Sequence, residues 1–296
     1  MKNKCLFPSI KGGVLFNEPL WRHTTFRIGG PASVWTEPAD WDSLREILRF
    51  AAEKRKKTVV LGGGSNVLFA DSGFRGIVIH LCRGDFKKMR FSRREIISGA
   101  GVALSSLINA CRRKGLTGLE GMTGVPGSLG GAIFMNAGYC GSVSDVLKRV
   151  TVMDKKSGRI FCINQKNIKF GYRHSNLGRY IILEAVMRLE RGNIKDIESC
   201  VKNYIRLKRE KQPLGCPSAG CVFKNPEGDI AAAEYIENAG LKGKKAGGAE
   251  ISKKHANFII NSGNAKAKDV LRLIALVKRR VRKLYKVNLA PEIAIF

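Results

Sequence analysis

Two glycine-rich stretches are where this 296-residue sequence first offers chemistry. Leu61–Val67 reads LGGGSNV, three glycines followed by a hydroxyl and an amide. Glycine admits positive φ angles and lets the backbone come close to a ligand. Successive N–H groups, with Ser65 and Asn66 beside them, can form a nest for a diphosphate. The stretch lacks the Lys-Ser/Thr ending of a Walker loop, and it is not GxGxxG opening a helix. Taken alone, an ordinary tight turn explains it nearly as well. The second stretch, GMTGVPGSLGGAIFMNAG at Gly121–Gly138, contains Gly124, Gly127, Gly130, Gly131 and Gly138, with Pro126 stiffening it. A buried loop of that length must satisfy its backbone polar groups somewhere. A diphosphate and a planar flavin could take many of them; a packing loop between two elements is the alternative. Two such loops in one domain are harder to explain by turns alone.

The surrounding pattern supplies the elements that position these loops. Asp40–Lys56 predicts a helix, with Leu44, Ile47, Leu48 and Ala51 on one face and Asp40 as N-cap. Thr58–Leu61 predicts a short buried strand running into the first glycines. Further strands are expected at Gly76–Leu81, Arg94–Ser98, Arg149–Asp154, Arg159–Ile163, Tyr180–Leu189 and Phe258–Asn261. Helices are expected at Leu104–Lys114, with Gly115 as C-terminal cap, and at Lys195–Lys211, Asp229–Ala239 and Ala265–Tyr285. The tail from Leu289 reads as extended. Strands and helices alternate without a regular repeat, so the fold class is α+β. Length suggests two domains, residues 1–190 and 191–296, divided where the glycine-rich segments end.

Composition narrows the function classes. At 44% hydrophobic and 26% charged, with no low-complexity tract, the chain is an ordinary globular one. Its net charge of +29 invites a nucleic-acid reading. However, groups such as Lys54–Lys57, Arg112–Lys114 and Lys278–Arg280 lie beside apolar residues at helical spacing, as solvated helix faces do. No zinc-finger, basic-zipper or RNA-recognition pattern accompanies them, so no specific nucleic-acid partner is expected. Eight cysteines form no CxxC pair, and Cys216 with Cys221 has no second pair to complete a metal site; no metal is expected. Cys111 and Cys200 fall in apolar stripes and read as core residues. Free thiols suit a reducing cytoplasm. The start, MKNKCLFPSI, has no continuous apolar core, and no stretch is long enough to span a membrane.

Six motifs in order carry a family resemblance: TTFRIGGPA (Thr24–Ala32), LGGGSNVL (Leu61–Leu68), GVPGSLGGA (Gly124–Ala132), GYRHS (Gly171–Ser175), FKNP (Phe223–Pro226) and PEI (Pro291–Ile293). Together they resemble the UDP-N-acetylenolpyruvoylglucosamine reductase family, in its compact second type. The resemblance implies noncovalent FAD in the fold shared with vanillyl-alcohol oxidase, followed by a C-terminal α+β substrate-binding domain. It also implies NADPH as reductant, a UDP-sugar substrate and a monomer. It assigns FAD binding to Gly62, Gly63, Gly64, Ser65 and Asn66, and to Val125, Pro126, Gly127, Ser128, Gly130, Gly131 and Ala132. Thr25 and Arg27 support them.

The resemblance further implies a catalytic set. Arg173 matches an arginine at the substrate carboxylate, a task for a permanently charged, bidentate donor. Glu292 matches a glutamate beside the developing enolate, which requires that it be protonated or share a proton. Cys221 stands where the family pattern commonly has serine. A free thiol with pKa of about 8.5 is mostly protonated at neutral pH and can act as general acid; a buried structural thiol is the alternative. Lys211 and Asn225 match positions linked to the UDP-sugar. The run Asn136–Gly141 departs from the family pattern, so Tyr139 receives no role, and His174 beside Arg173 has no evident partner. A different FAD-dependent oxidoreductase on the same fold would keep both loops without needing Arg173, Cys221 and Glu292.

Overall fold

The structure, a computed structural model, describes residues 10–296; the leader reading of the first residues and Cys5 lie outside the described residues. The chain forms two compact units, each discontinuous in sequence. The first takes the chain up to Asn17, Ser33–Gly63 and Arg75–Arg206; the second takes Glu18–Ala32, Gly64–Phe74 and Leu207–Phe296. The two units are thus interleaved along the chain. Hydrogen bonds account for this interleaving. Val67–Leu68 pairs in parallel with Ala294–Ile295, and the Asp71 carboxylate accepts from the N–H groups of Ala267 and Lys268 at 2.8 and 3.2 Å.

In the first unit, helix α1 spans Trp41–Glu53, shorter than expected at its C-terminal end. Asp40 caps it by accepting from the Ser43 N–H at 2.8 Å, and Leu44, Ile47, Leu48 and Ala51 are the buried face. Lys57–Leu61 lies parallel to Phe74–His80 at one edge of a four-stranded sheet, completed by Pro31–Pro38 and Gly12–Pro19. A second sheet is antiparallel, in the order Ile160–Asn164, Leu147–Asp154, Tyr180–Arg188, Glu95–Gly99 and Met89–Ser92. The strands Gly12–Pro19 and Met89–Ser92 have half-exposed, weakly alternating faces and left no clear pattern in the sequence. Helix α2, Leu104–Arg113, ends before Gly115 at φ +62°. Helix α3, Leu129–Phe134, interrupts what reads as a continuous loop; Ser128 Oγ accepts from the Gly131 N–H at 3.4 Å. Helix α4 covers Ile194–Lys211, belonging to this unit up to Arg206. The core gathers α1, both sheets and α2 around Leu44, Ile47, Ile77, Phe86, Ile96 and Leu107.

The second unit has a four-stranded antiparallel sheet in the order Ser218–Cys221, Phe258–Asn261, Ala249–Ile251 and Lys245–Ala246. Helix α5, Ala232–Asn238, begins three residues later than expected because Asn225 Oδ1 accepts from the Ala232 N–H at 3.1 Å. Helix α6, Ala267–Tyr285, buries Val270, Leu273, Ile274, Val277 and Val281 and turns Lys278, Arg279 and Arg280 to solvent. This unit has a core of its own, including Val222, Phe223, Ile251 and Ile293. Among the described residues no helix is long and apolar enough to cross a membrane. Cys111 is buried as expected, and burial pushes its thiol up to about 12; Cys200 is only half-buried.

Candidate active site

The two glycine stretches meet in the first unit. A Cβ on Gly62 would lie 2.4 Å from Ser128 Oγ, and one on Gly63 would lie 2.7 Å from Gly127 Cα. At Gly63, where the neighbour is backbone, only glycine permits that approach; at Gly62 a Cβ would displace the Ser128 hydroxyl. Among the described residues, the N–H groups of Gly62, Gly63, Gly127 and Ser128 donate to no protein acceptor. Neighbouring carbonyls, by contrast, are used: Gly127 O accepts from Leu104 N at 3.0 Å, while Gly130 N donates to Ala100 O at 2.8 Å. Such a cluster of free backbone donors fits the diphosphate of FAD, which brings acceptors and negative charge. Val125 and Ala132 are fixed by bonds from Val125 N to Met122 O and from Ala132 N to Ser128 O. Pro126 stiffens the approach to Gly127.

Arg173 belongs to the same unit. It sits between Phe170–Gly171 and His174–Ser175, which pair antiparallel, and its own φ of +54° is unusual for a non-glycine residue. Its guanidinium donates to Gly138 O at 3.3 Å and lies over the Tyr172 ring at 5.3 Å. Ser175 Oγ donates to Phe134 O at 2.7 Å and Asn136 Nδ2 to Gly171 O at 3.3 Å, so the hairpin is tied to the segment after α3. A strained backbone held by three such bonds is a positioned cation. His174 is exposed, and Tyr139 packs edge-to-face on Tyr204 at 6.4 Å.

In the second unit four of the six motifs converge. Thr25 N donates to Gly64 O at 3.0 Å, Thr25 Oγ1 to Ser218 O at 2.6 Å, and Ser218 N to Thr25 O at 3.1 Å. Gly64 has φ +61°, and a Cβ there would lie 2.0 Å from His23 O. Arg27 is exposed at φ +55°. Asn66 Nδ2 donates to the backbone carbonyl of Glu292 at 3.3 Å. Cys221 ends the strand Ser218–Cys221, after Gly220 at φ +75°, where the pairing with Phe258–Asn261 shifts register. That irregularity re-aims the half-buried thiol.

Immediately beyond Cys221 the chain pairs with the PEI motif. Phe223 bridges Pro291; Glu292 N donates to Val222 O at 2.7 Å and Lys224 N to Ala290 O at 2.9 Å. Phe223 and Pro291 thus form a non-hydrogen-bonded pair, the one position where a proline without an N–H loses nothing. The polar groups of Phe223 face the other way, to Asn257: Phe223 N donates to Asn257 Oδ1 at 2.9 Å, and Asn257 Nδ2 donates to Phe223 O at 2.8 Å. Asn257 is 3% exposed and Phe223 1%. Sequence reasoning missed Asn257 because it lies in no motif; its one signal is an amide just before an apolar strand. Asn225 directs its side-chain oxygen to the start of α5, and Lys211 is exposed at the end of α4. The structure thus brings Cys221, Glu292, Asn66 and Thr25 into one unit, and Arg173 with the Gly62–Gly63 and Val125–Ala132 segments into the other.

Comparisons with known proteins identify the family. Residues 32–164 match the model of an FAD binding domain, and residues 212–296 match that of the C-terminal domain of UDP-N-acetylenolpyruvoylglucosamine reductase. A relative from Heliobacterium modesticaldum bearing that enzyme's name is 43% identical over 288 residues, covering 96% of this chain and 91% of the relative. The crystal structure of the same-named enzyme from Thermus caldophilus superposes with a TM-score of 0.83 at 34% identity, covering 97% of this chain and 99% of that one. Physcomitrella patens BBE-like 1, at a TM-score of 0.52 and 18% identity, covers 64% of this chain and 45% of its own. At that identity it speaks for the fold alone, the α+β FAD-binding fold shared with vanillyl-alcohol oxidase. With both domain models and near full-length identity in agreement, the chain belongs to the UDP-N-acetylenolpyruvoylglucosamine reductase family and is an FAD-dependent oxidoreductase.

Proposed function

We propose that this protein reduces the enolpyruvyl ether of UDP-N-acetylglucosamine to UDP-N-acetylmuramate, with NADPH as reductant, in the synthesis of peptidoglycan precursors. It would act as a cytoplasmic monomer, and so serve cell-wall growth and division. In this reading residues 1–190 chiefly hold noncovalent FAD and residues 191–296 the UDP-sugar. The observation that carries it is the pairing of Cys221–Val222–Phe223 with Pro291–Glu292, which sets a candidate proton donor and a candidate enolate partner on adjacent strands.

Bound FAD would supply the redox chemistry that links NADPH to reduction of the enolpyruvyl group at C3. The chain's own residues deal with the charge and the proton. Arg173 holds the substrate carboxylate, into which the negative charge arising at C2 spreads; its guanidinium stays cationic throughout. Glu292, carrying or sharing a proton, hydrogen-bonds the developing enolate. Cys221 gives its thiol proton to C2 and is reprotonated from solvent. Lys211 draws in the diphosphate, and Asn225 contacts the UDP-sugar with the amide N–H groups not used at α5. Gly62–Asn66 and Val125–Ala132, with Thr25 and Arg27, hold the cofactor.

The test is anaerobic. The purified flavoprotein is reduced, the enolpyruvyl UDP-sugar is added, and flavin absorbance and product are followed. Prompt reoxidation with formation of the lactyl ether supports the proposal. A reduced flavin that this sugar cannot reoxidise refutes it and leaves an oxidoreductase of other specificity.

A further inference from the structure

The first unit carries a cluster that the redox chemistry does not use. Glu37, His80 and Cys82 each bring one ligand atom of a different kind, and these atoms all lie within 4.8 Å of one another. His80 closes the strand Phe74–His80, and Cys82 follows two residues later; Glu37 comes from the neighbouring strand Pro31–Pro38. His80 Nδ1 lies 3.7 Å from Glu37 Oε1.

We propose that Glu37, His80 and Cys82 form a binding site for one zinc ion. A tetrahedral zinc with bonds of about 2.0–2.1 Å to nitrogen and oxygen and about 2.3 Å to sulfur has ligand-to-ligand edges of about 3.3–3.7 Å. The oxygen–nitrogen edge already has that length, and the edges to sulfur, at most 4.8 Å, need to close by no more than about 1.5 Å, within reach of a rotation about the Cys82 side chain. One thiolate, one imidazole and one carboxylate are a borderline-soft set that suits zinc over calcium or magnesium. The fourth position falls to water.

The surroundings hold the carboxylate as such a site requires. The Arg83 guanidinium grips the far oxygen, Glu37 Oε2, at 2.6–2.7 Å and leaves Oε1 on the His80 side, so Glu37 ligates through one oxygen with Arg83 behind it. Trp35 Nε1 donates to Oε1 at 3.2 Å from a fully buried ring that packs on His80 at 5.1 Å. Glu37 and His80 keep 15% and 25% of their side-chain surface, enough for an ion to enter. The bound ion would clip two neighbouring strands of the four-stranded sheet at the end where Phe74–His80 leaves it.

The test uses the full-length flavoprotein, stripped with a chelator and dialysed against micromolar zinc chloride, with metal and flavin measured together. One zinc per chain is expected, falling at least about tenfold in occupancy in His80→Gln and in Cys82→Ser while Cys216→Ser keeps it. No zinc retained by the parent, or zinc retained equally by the His80 and Cys82 variants, overturns the proposal. Because a variant can fail to fold, zinc-edge X-ray absorption on the parent decides independently. A single sulfur neighbour at about 2.3 Å among nitrogen and oxygen ligands supports the site, whereas no sulfur or more than one refutes it.

Discussion

Replacing Asn257 with alanine tests how the strand behind Cys221 is held. The Asn257 side chain makes two buried hydrogen bonds, at 2.9 and 2.8 Å, to the N–H and the C=O of Phe223. Neither group has another partner within reach of that side, because Phe223 faces Pro291 as a non-hydrogen-bonded pair. Truncation therefore strands a buried donor and a buried acceptor, each costing about 1–3 kcal/mol, for a total of about 2–6 kcal/mol. With a urea dependence of about 2 kcal/mol per molar, the unfolding midpoint should fall by about 1–3 M. Asn203→Ala, whose side chain only meets Arg206 at the surface, should stay within about 0.5 kcal/mol. Amide exchange should also quicken at Val222–Lys224, and turnover should fall, because Val222 and Lys224 carry the bonds to Glu292 and Ala290. A midpoint shift below about 0.5 M with unaltered exchange would refute the reasoning, since it would mean that Phe223 keeps its partners without the amide.

Other perturbations separate the cofactor, the proton and the charge. Gly63→Ala drives a Cβ to 2.7 Å from Gly127 Cα, so the purified variant should retain at least about tenfold less flavin per chain; normal flavin content would show that the two loops can part without loss. Cys221→Ala should lower turnover by about 10²–10⁴-fold while Cys221→Ser stays much nearer the parent, and equal activity of all three in steady-state assays would remove the thiol from the reaction. His255 has its pKa lowered chiefly by burial, and its Nδ1 accepts from Asn257 N at 3.3 Å, which the protonated ring cannot do. Its contribution is therefore present above the ordinary histidine value of about 6.5 and is lost as pH falls through 6.5 toward the lowered value. Thermal midpoints at pH 7.5 and 5.5 should differ more for the parent than for His255→Gln; equal differences would contradict this.

What could be read from the sequence follows from the range over which each interaction acts. α1, α2, α4 and α6 announce themselves because caps and apolar stripes are local: Asp40 reaches Ser43, and Gly115 ends α2 within its own turn. α3 does not, because three of its six residues are Gly130, Gly131 and Ala132, which give no apolar period; its position comes from Leu129 N and Gly130 N bonding to Val102 O and Ala100 O. The glycine loops are visible as composition, but their meeting is not: nothing local to Gly63 says that Gly127 will lie against it. The interleaving of the two units is hidden for the same reason. It depends on bonds such as Asn66 to Glu292, 226 residues apart, and Asp71 to Ala267, 196 apart.

The segment after Leu61 contributes residues to both units. Gly62 and Gly63 pack against Ser128 and Gly127 in the first unit, while Gly64 and Asn66, next along the chain, bond to Thr25 and Glu292 in the second. Six residues, Leu61 to Asn66, therefore carry the backbone from the proposed cofactor donors to the residue that bonds the carbonyl of Glu292. The positive φ of Gly64 makes the passage, since a side chain there would meet His23 O at 2.0 Å. A substitution at Gly64 should consequently disturb both ends together, flavin retention through Gly63 and the Cys221–Glu292 strand pair through Asn66. Substitutions at Asn257 act on the second end alone. If Asn257→Ala keeps its flavin while Gly64→Ala loses flavin and turnover in step, the loop couples the two sites. Loss of flavin in both variants alike would mean that the strand pair itself supports the cofactor.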